Sequence, residues 1–301
     1  MKVLVTGVGG FIGSKVAARF KQDGHTVTGA DDFSGGKRDN VPQGIALVEG
    51  DLARADTIAR LPRDCELILH LAGQSSGEIS FDDPVADLEK NTVSTLRLIR
   101  HGIATGARRI VYASSMSVYG AHADAPAAES AHCQPLSCYG AGKLAAEGYL
   151  RIYSRQLPYV ALRMFNVYGP GQDMQNLRQG MVSIYLAQAL AGGKVQVKGS
   201  LERYRDFIYV DDVVEAWQRA ALRPEAANQV VNVGTGARTT VKSLLEATRA
   251  SLPAMQWFVE GSTPGDQSGI YADTTRMRAV LGLKEFVPLE EGLRRFIAWA
   301  R

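Results

Sequence analysis

Cysteine is scarce: Cys65, Cys133 and Cys138 are the only three in 301 residues, an odd number with no Cys-x-x-Cys spacing. A chain of this length needs no disulfide staples, so the thiols are expected to be reduced, as in a cytosol. Long apolar runs are missing as well. Nothing approaches the ~18 consecutive apolar residues of a membrane span, and residues 3–5 are too short an apolar stretch for a signal-peptide core. A cytoplasmic protein with no membrane partner is the expectation. Charge of one sign is also lacking: 34 basic residues face 31 acidic ones, for a net charge of +3, and no block of like charges would draw a nucleic acid. The histidines, His25, His70, His101, His122 and His132, share no metal-ligand spacing, so no metal is expected, and His70 in a buried-strand pattern reads as structural. Repeats and low-complexity tails are absent too.

What is present is an ordinary globular composition, 46% hydrophobic and 22% charged, which excludes fibrous and disordered classes. Short apolar, β-branched runs at 3–6, 26–30, 46–49, 67–71, 110–113 and 160–164 alternate with helical-period segments at 12–22, 87–103 and 143–153. Such alternation predicts an α/β doubly wound parallel sheet, a Rossmann-type nucleotide-binding fold. Beyond Gly169-Pro170-Gly171 the order becomes irregular, and a smaller, interleaved C-terminal substrate-binding lobe is expected. Residues 1–168 form the first domain, with 205–235 returning to it, and 169–204 with 236–301 make the lobe. Apolar runs at 206–210 and 230–233 flank a helix at 213–222 with Asp211 as its N-cap. Leu289, Leu293, Phe296, Ile297 and Ala300 keep helical spacing at the end of the chain.

Directly after the first strand comes Thr6-Gly7-Val8-Gly9-Gly10-Phe11-Ile12-Gly13. Glycines at 7, 10 and 13 allow a tight turn, close backbone approach to a pyrophosphate and close helix–strand packing, while the helix N-terminus attracts the anion. The second strand ends in Asp31-Asp32, where a carboxylate binds a ribose 2′-hydroxyl and repels a 2′-phosphate. That favours NAD, although Lys37 and Arg38 nearby leave NADP open.

A phenol and an ammonium follow one helical turn apart in Tyr139-Gly140-Ala141-Gly142-Lys143. Free tyrosine titrates near pH 10, and a neighbouring cation and an oxidised nicotinamide ring both favour the phenolate. A shift of about three units would make it a working base. Ser114-Ser115 ends the preceding strand, which places Ser115 beside Tyr139 at the carboxyl end of the sheet, ready to hydrogen-bond a reacting oxygen.

These motifs, with Gly50-Asp51-Leu52, Leu71-Ala72-Gly73, Asn91, Ser114-Ser115-Met116-Ser117-Val118-Tyr119-Gly120, residues 162–171 and Arg205-Asp206-Phe207-Ile208-Tyr209-Val210-Asp211-Asp212, closely resemble the extended short-chain dehydrogenase/reductases of the nucleotide-sugar epimerase/dehydratase type. The resemblance spans the chain. It implies that Gly7, Gly10 and Gly13 take the NAD pyrophosphate, Asp31 the adenosine ribose, and Asp51 with Leu52 the adenine. Phe11, Ile12, Asp32, Leu71, Ala72, Gly73, Asn91 and Ser114 complete the implied cofactor contacts. Lys143 binds the nicotinamide ribose and tunes Tyr139, so Ser115, Tyr139 and Lys143 form the catalytic set. Ser76, Ser115, Asn166, Arg205 and Asp266 are the implied contacts to a UDP-sugar, and the helices over 87–103 and 139–153 the implied homodimer interface.

Relatives that eliminate water or decarboxylate carry an acid after the strand-end serine, and here Met116 and Ser117 stand in its place. The pattern most resembles the UDP-hexose 4-epimerases, in which oxidation at C4 gives a transient 4-keto sugar that is reduced from its other face. A reductase of a 4-keto sugar would use the same three residues with external NADH or NADPH. A non-catalytic dinucleotide-binding protein would commonly lack Tyr139 or Lys143. Two departures stand out. Thr263 occupies the place where many relatives carry a diphosphate-gripping Arg before Gly265-Asp266, leaving Arg178, Arg203 or Arg238 to compensate. Cys138 replaces a common proline and reads as a small hydrophobe packed against the sheet. Ile270, before Tyr271, leaves the sugar's 2-substituent open.

Overall fold

The computed structural model describes residues 1–122, 124–262 and 268–301. Its first half runs β1 (Lys2–Thr6), α1 (Phe11–Gln22), β2 (Thr26–Asp31), β3 (Ala46–Glu49), α2 (Ala55–Ala59), β4 (Leu67–His70), α3 (Pro84–Leu88), α4 (Ser94–Thr105), β5 (Arg109–Ser115), α5 (Cys138–Ile152) and β6 (Tyr159–Met164). The second half adds β7 (Asn166–Tyr168), α6 (Met181–Gly192), β8 (Lys194–Val197), β9 (Tyr204–Arg205), β10 (Phe207–Tyr209), α7 (Val210–Leu222) and β11 (Gln229–Val233). It closes with β12 (Thr239–Thr240), α8 (Val241–Ser251), β13 (Gln256–Val259), β14 (Gly269–Ile270), α9 (Thr275–Leu281) and α10 (Leu289–Ala300).

Seven strands form one parallel sheet in the order β11-β6-β5-β4-β1-β2-β3. Central runs such as Val3-Leu4-Val5 and Leu67-Ile68-Leu69 are buried because helices cover both faces. On one face Val16 and Phe20 of α1 pack with Val213 and Trp217 of α7. On the other, Leu98 and Ile99 of α4 meet Ala146 and Leu150 of α5. A separate core gathers Tyr168, Leu186, Val195, Leu244 and Phe296 in the C-terminal part. The strand order reverses between β1 and β4, so a crevice opens outside their carboxyl ends, and ligands of such sheets bind there.

Three expectations need correction. The segment 87–103 is not one helix: α3, capped by Asp83, is followed by a wide π-helical turn at Glu89–Val93 before α4 begins. Asp211 is not an N-cap, because α7 starts at Val210 with Tyr209 capping it, and Asp211 lies in the first turn, where its charge complements the helix dipole. Of 206–210 only Phe207–Tyr209 is extended, and it pairs with β7 outside the central sheet.

Behind the end of β5 lies a buried ion pair. Arg163 grips Glu147 with Nε–Oε1 at 2.9 Å and Nη2–Oε2 at 2.7 Å, both side chains being 6% exposed. The Ser114 hydroxyl donates to the same carboxylate. Arg163→Met would strand a buried carboxylate, so a loss of about 3–5 kcal/mol is expected. A shift of the urea midpoint at unchanged slope measures it; a loss below ~1 kcal/mol would show that the pair behaves like a surface one.

Candidate active site

A cleft of about 790 Å³ runs along the carboxyl ends of the strands. At its floor the first glycine loop is shaped by backbone contact. Gly7 adopts φ +71°, and a Cβ there would sit 2.7 Å from the Ala72 nitrogen; a Cβ on Gly13 would lie 2.0 Å from the Gly7 carbonyl oxygen. Only glycine lets α1 close on β1 in this way, which leaves the helix N-terminus open to an anion. Asp31 braces the loop, its carboxylate accepting Gly9 N–H and Phe33 N–H, each at 2.8 Å. Burial pushes its carboxyl up, against those hydrogen bonds, and lone pairs remain on both oxygens for ribose hydroxyls. Burial would raise Asp32 too, but hydrogen bonds from Lys90 and Ser34 outweigh it and hold that carboxyl low. Phe11, Ile12, Asp51, Leu52, Leu71, Ala72 and Gly73 line the same cleft.

Lys37 and Arg38 are exposed, and each holds a surface ion pair. Arg38 pairs with Glu49 and lies over the Phe33 ring, 4.4 Å from its centroid. Lys37 reaches Asp173 at 3.2 Å. The residues present fit NAD: a glycine cradle that any Cβ would fill, a helix N-terminus, and a carboxylate where the adenosine ribose would lie.

At the other end α5 is launched by Ser137, whose Oγ accepts Gly140 N–H at 3.1 Å. This sets Tyr139 and Lys143 on the cleft wall. The Lys143 Nζ lies 5.5 Å from the Tyr139 ring centroid and 5.0 Å from that of Tyr112. Burial pushes the Tyr139 phenol up to about 12, a hydrogen bond with Ser115 pulling the other way. Burial also pushes Lys143 down to about 8, with Asp87 opposing it. The protein alone thus favours the neutral phenol, and the expected downward shift of Tyr139 has to come with the ligands.

His70, behind Lys143, is structural. Its Nδ1 contacts Thr6 Oγ1 at 2.8 Å and its Nε2 contacts Thr95 Oγ1 at 3.0 Å. Thr6 Oγ1 also accepts Ala72 N–H and Thr95 Oγ1 also donates to Asn91 O, so the pair suits a neutral ring with its proton on Nε2. Burial, then the charge of Lys143, pushes its pKa down to about 3. Below about pH 6.5 the unfolded chain therefore binds a proton that the native state refuses, and stability falls as pH drops toward 3. Between pH 7 and pH 5 this amounts to about 2 kcal/mol. Urea unfolding at both pH values should show a smaller loss for His70→Gln; equal losses would clear His70.

Several expected contacts lie elsewhere. Ser114 is buried against Glu147, and the wall at its level is Ala113. Ser76 is also turned away, its hydroxyl donating to Arg178 O at 3.1 Å, and its neighbour Ser75 lines the cleft instead. Asn91 is 1% exposed, a layer behind Gly73. Ser115, Asn166 and Arg205 are not among the residues lining the cleft: Asn166 Nδ2 contacts Met116 Sδ at 3.5 Å, and burial followed by Arg203 pushes Arg205 down to about 10. Arg178 pairs with Glu78 and Asp82, and Arg238 with Asp124. Thr263 and Asp266 lie outside the described residues. Cys138 opens α5 half-buried at its first position rather than packed under the sheet. Unforeseen were Lys90, which neutralises Asp32 and lies 3.5 Å from Asp51, and Asp87 with Gln74 on the cleft wall. Among the described residues no helix is long and apolar enough to cross a membrane.

Residues 3–234 match the NAD-dependent epimerase/dehydratase family. The chain belongs to that family. Among its members, the UDP-glucose 4-epimerase of Mycolicibacterium smegmatis is 38% identical over 312 residues, covering 100% of this chain and 99% of that protein. The crystal structure of UDP-glucose 4-epimerase with UDP-glucose from Thermotoga maritima superposes with a TM-score of 0.95 at 33% identity, covering 100% of this chain and 98% of that one. That of Thermus thermophilus UDP-glucose 4-epimerase in complex with NAD gives 0.91 at 32% identity, with 99% and 98% covered. As a member of this family, the chain is NAD-dependent.

Proposed function

We propose that the protein is an NAD-dependent epimerase that inverts C4 of a UDP-hexose through a transient 4-keto sugar. The observation that carries this reading is the set of side chains at the end of β5. Lys143 stands beside the Tyr139 phenol, Ser115 lies near enough to favour the phenolate, and Met116, in contact with Asn166, follows β5 where the resemblance gives elimination enzymes an acid. Similarity to two UDP-glucose 4-epimerases along the full chain supports it. A stand-alone reductase needing NADPH is disfavoured by the buried Asp31 carboxylate, which would repel a 2′-phosphate.

NAD, when bound, supplies the hydride acceptor at C4 and the positive charge that favours a phenolate. Gly7, Gly10 and Gly13 would hold its pyrophosphate, Asp31 its adenosine ribose, and Lys143 the ribose next to the reacting ring. Tyr139 takes the proton from the sugar O4 and later returns it. Ser115 hydrogen-bonds that oxygen, and the ammonium of Lys143 stabilises the phenolate. Asn166 and Arg205 would face the nucleotide diphosphate, with residues 169–204 and 236–301 as the nucleotide-binding lobe. Exposed Val85, Leu88 and Ile152 on α3 and α5 support a homodimer through this side.

Proton NMR of purified protein, with no cofactor added, tests the reading on UDP-galactose, UDP-N-acetylgalactosamine and UDP-glucuronate. Conversion of at least one to its C4 epimer is expected. No conversion of any would overturn it.

A further inference from the structure

One buried carboxylate has no part in the chemistry above. Asp87 of α3 is 2% exposed and lies on the cleft wall. Its Oδ1 accepts Gln74 Nε2 at 2.9 Å and Asn91 Nδ2 at 3.1 Å. Its Oδ2 has no hydrogen-bond partner and faces α5, where a Cβ on Gly142, the residue before Lys143, would come within 3.6 Å. Because Asp87 holds the amide nitrogen of Asn91, the Asn91 oxygen is turned the other way. It reaches the α-carbon of Gly73 from the same side as Lys143: a Cβ on Gly73 would lie 2.5 Å from Asn91 Oδ1 and 3.4 Å from Lys143 Nζ. Asn91 owes this place to the wide turn at Glu89–Val93, a local geometry concentrated at functional sites.

We propose that Asp87 is a positioning residue for the epimerase reaction: through Asn91 it fixes the approach to Lys143, and its carboxylate is the counter-charge of that ammonium. The proposal rests on the epimerase reading only for its effect on turnover. The groups facing Lys143 are Tyr139 on its own helix, Tyr112 on β5, His70 on β4 and Asp87 on α3. Of these Asp87 is the carboxylate, and while burial pushes its own pKa up, Gln74, Lys143 and Asn91 pull it back toward the charged form. Burial of Lys143 works against its proton, and Asp87 works for it. The same charge faces Tyr139 and opposes its ionisation, so Asp87 ties the two members of the pair together.

The test uses NAD-loaded protein labelled with ¹³Cε-lysine, the Lys143 resonance being assigned by its loss in Lys143→Met. In Asp87→Asn the titration midpoint of Lys143 should fall by about one pH unit, and Asp87→Glu should restore most of it. In turnover of UDP-galactose both limbs of the kcat profile should slide to lower pH, since Lys143 loses its proton sooner and Tyr139 ionises more easily. An unchanged midpoint in a variant with only a lowered melting temperature would overturn the proposal by showing a purely structural role. Should Asp87→Asn not fold, Asp87→Ser repeats the comparison. A wild-type protein that converts no nucleotide sugar would sink the epimerase reading alone, because the Lys143 titration still decides the role of Asp87.

Discussion

Tyr139→Phe should lower kcat by at least about 10²-fold, the lower end of what a positioned general base contributes, while NAD stays bound. The phenol stands beside the Lys143 ammonium, and Ser115 favours its ionised form. Ser115 can polarise the sugar oxygen but cannot itself hold its proton near neutral pH. A 10²-fold loss corresponds to about 3 kcal/mol of transition-state stabilisation. Cofactor retention should survive, since the glycine loop, Asp31 and Lys143 are untouched and the phenyl ring keeps its packing. The check pairs initial rates with the NAD released by heating. Turnover near that of the wild type would remove Tyr139 from the chemistry, and loss of NAD would mean that the substitution acts through the cofactor.

Gly13→Ala should abolish retention of NAD and destabilise the fold by about 1–3 kcal/mol or more, the usual range for an overpacked site. The added Cβ would lie 2.0 Å from the Gly7 carbonyl oxygen. A backbone atom of a buried turn offers no rotamer through which to yield. Either α1 moves off β1 or the Gly7 turn opens, and both displace the amides meant for the pyrophosphate. Absorbance of the heat-released supernatant and a urea melt measure the two effects. A variant with normal NAD content and an unchanged midpoint would show that the loop is not the rigid cradle described here.

What was legible in the sequence depended on how local the cause was. The glycine loop and the Tyr139–Lys143 pair follow from short spacings read against a strand or a helix, and both fell into place on the cleft. The fate of the Ser114 side chain follows from strand alternation, since neighbours on a strand point to opposite faces and its hydroxyl turns to Glu147. No spacing rule chooses between Ser75 and Ser76, because the path of the loop alone decides which hydroxyl faces the cleft. Lys90 and Asp87 were invisible because their partners come from other elements. Asp32 lies 58 residues before Lys90, and Asp87 meets Lys143 only once α3 packs on α5. The wide turn at Glu89–Val93 carries no composition signal of its own.

The central claim, that C4 is oxidised and reduced within one binding event, is tested most directly with UDP-galactose carrying deuterium at C4. In unlabelled water and without added cofactor, the UDP-glucose formed should keep its deuterium at C4, with none passing to a second, unlabelled UDP-sugar present in the same tube. Deuterium lost to water during conversion would contradict hydride return, and deuterium found on the second sugar would contradict a single binding event.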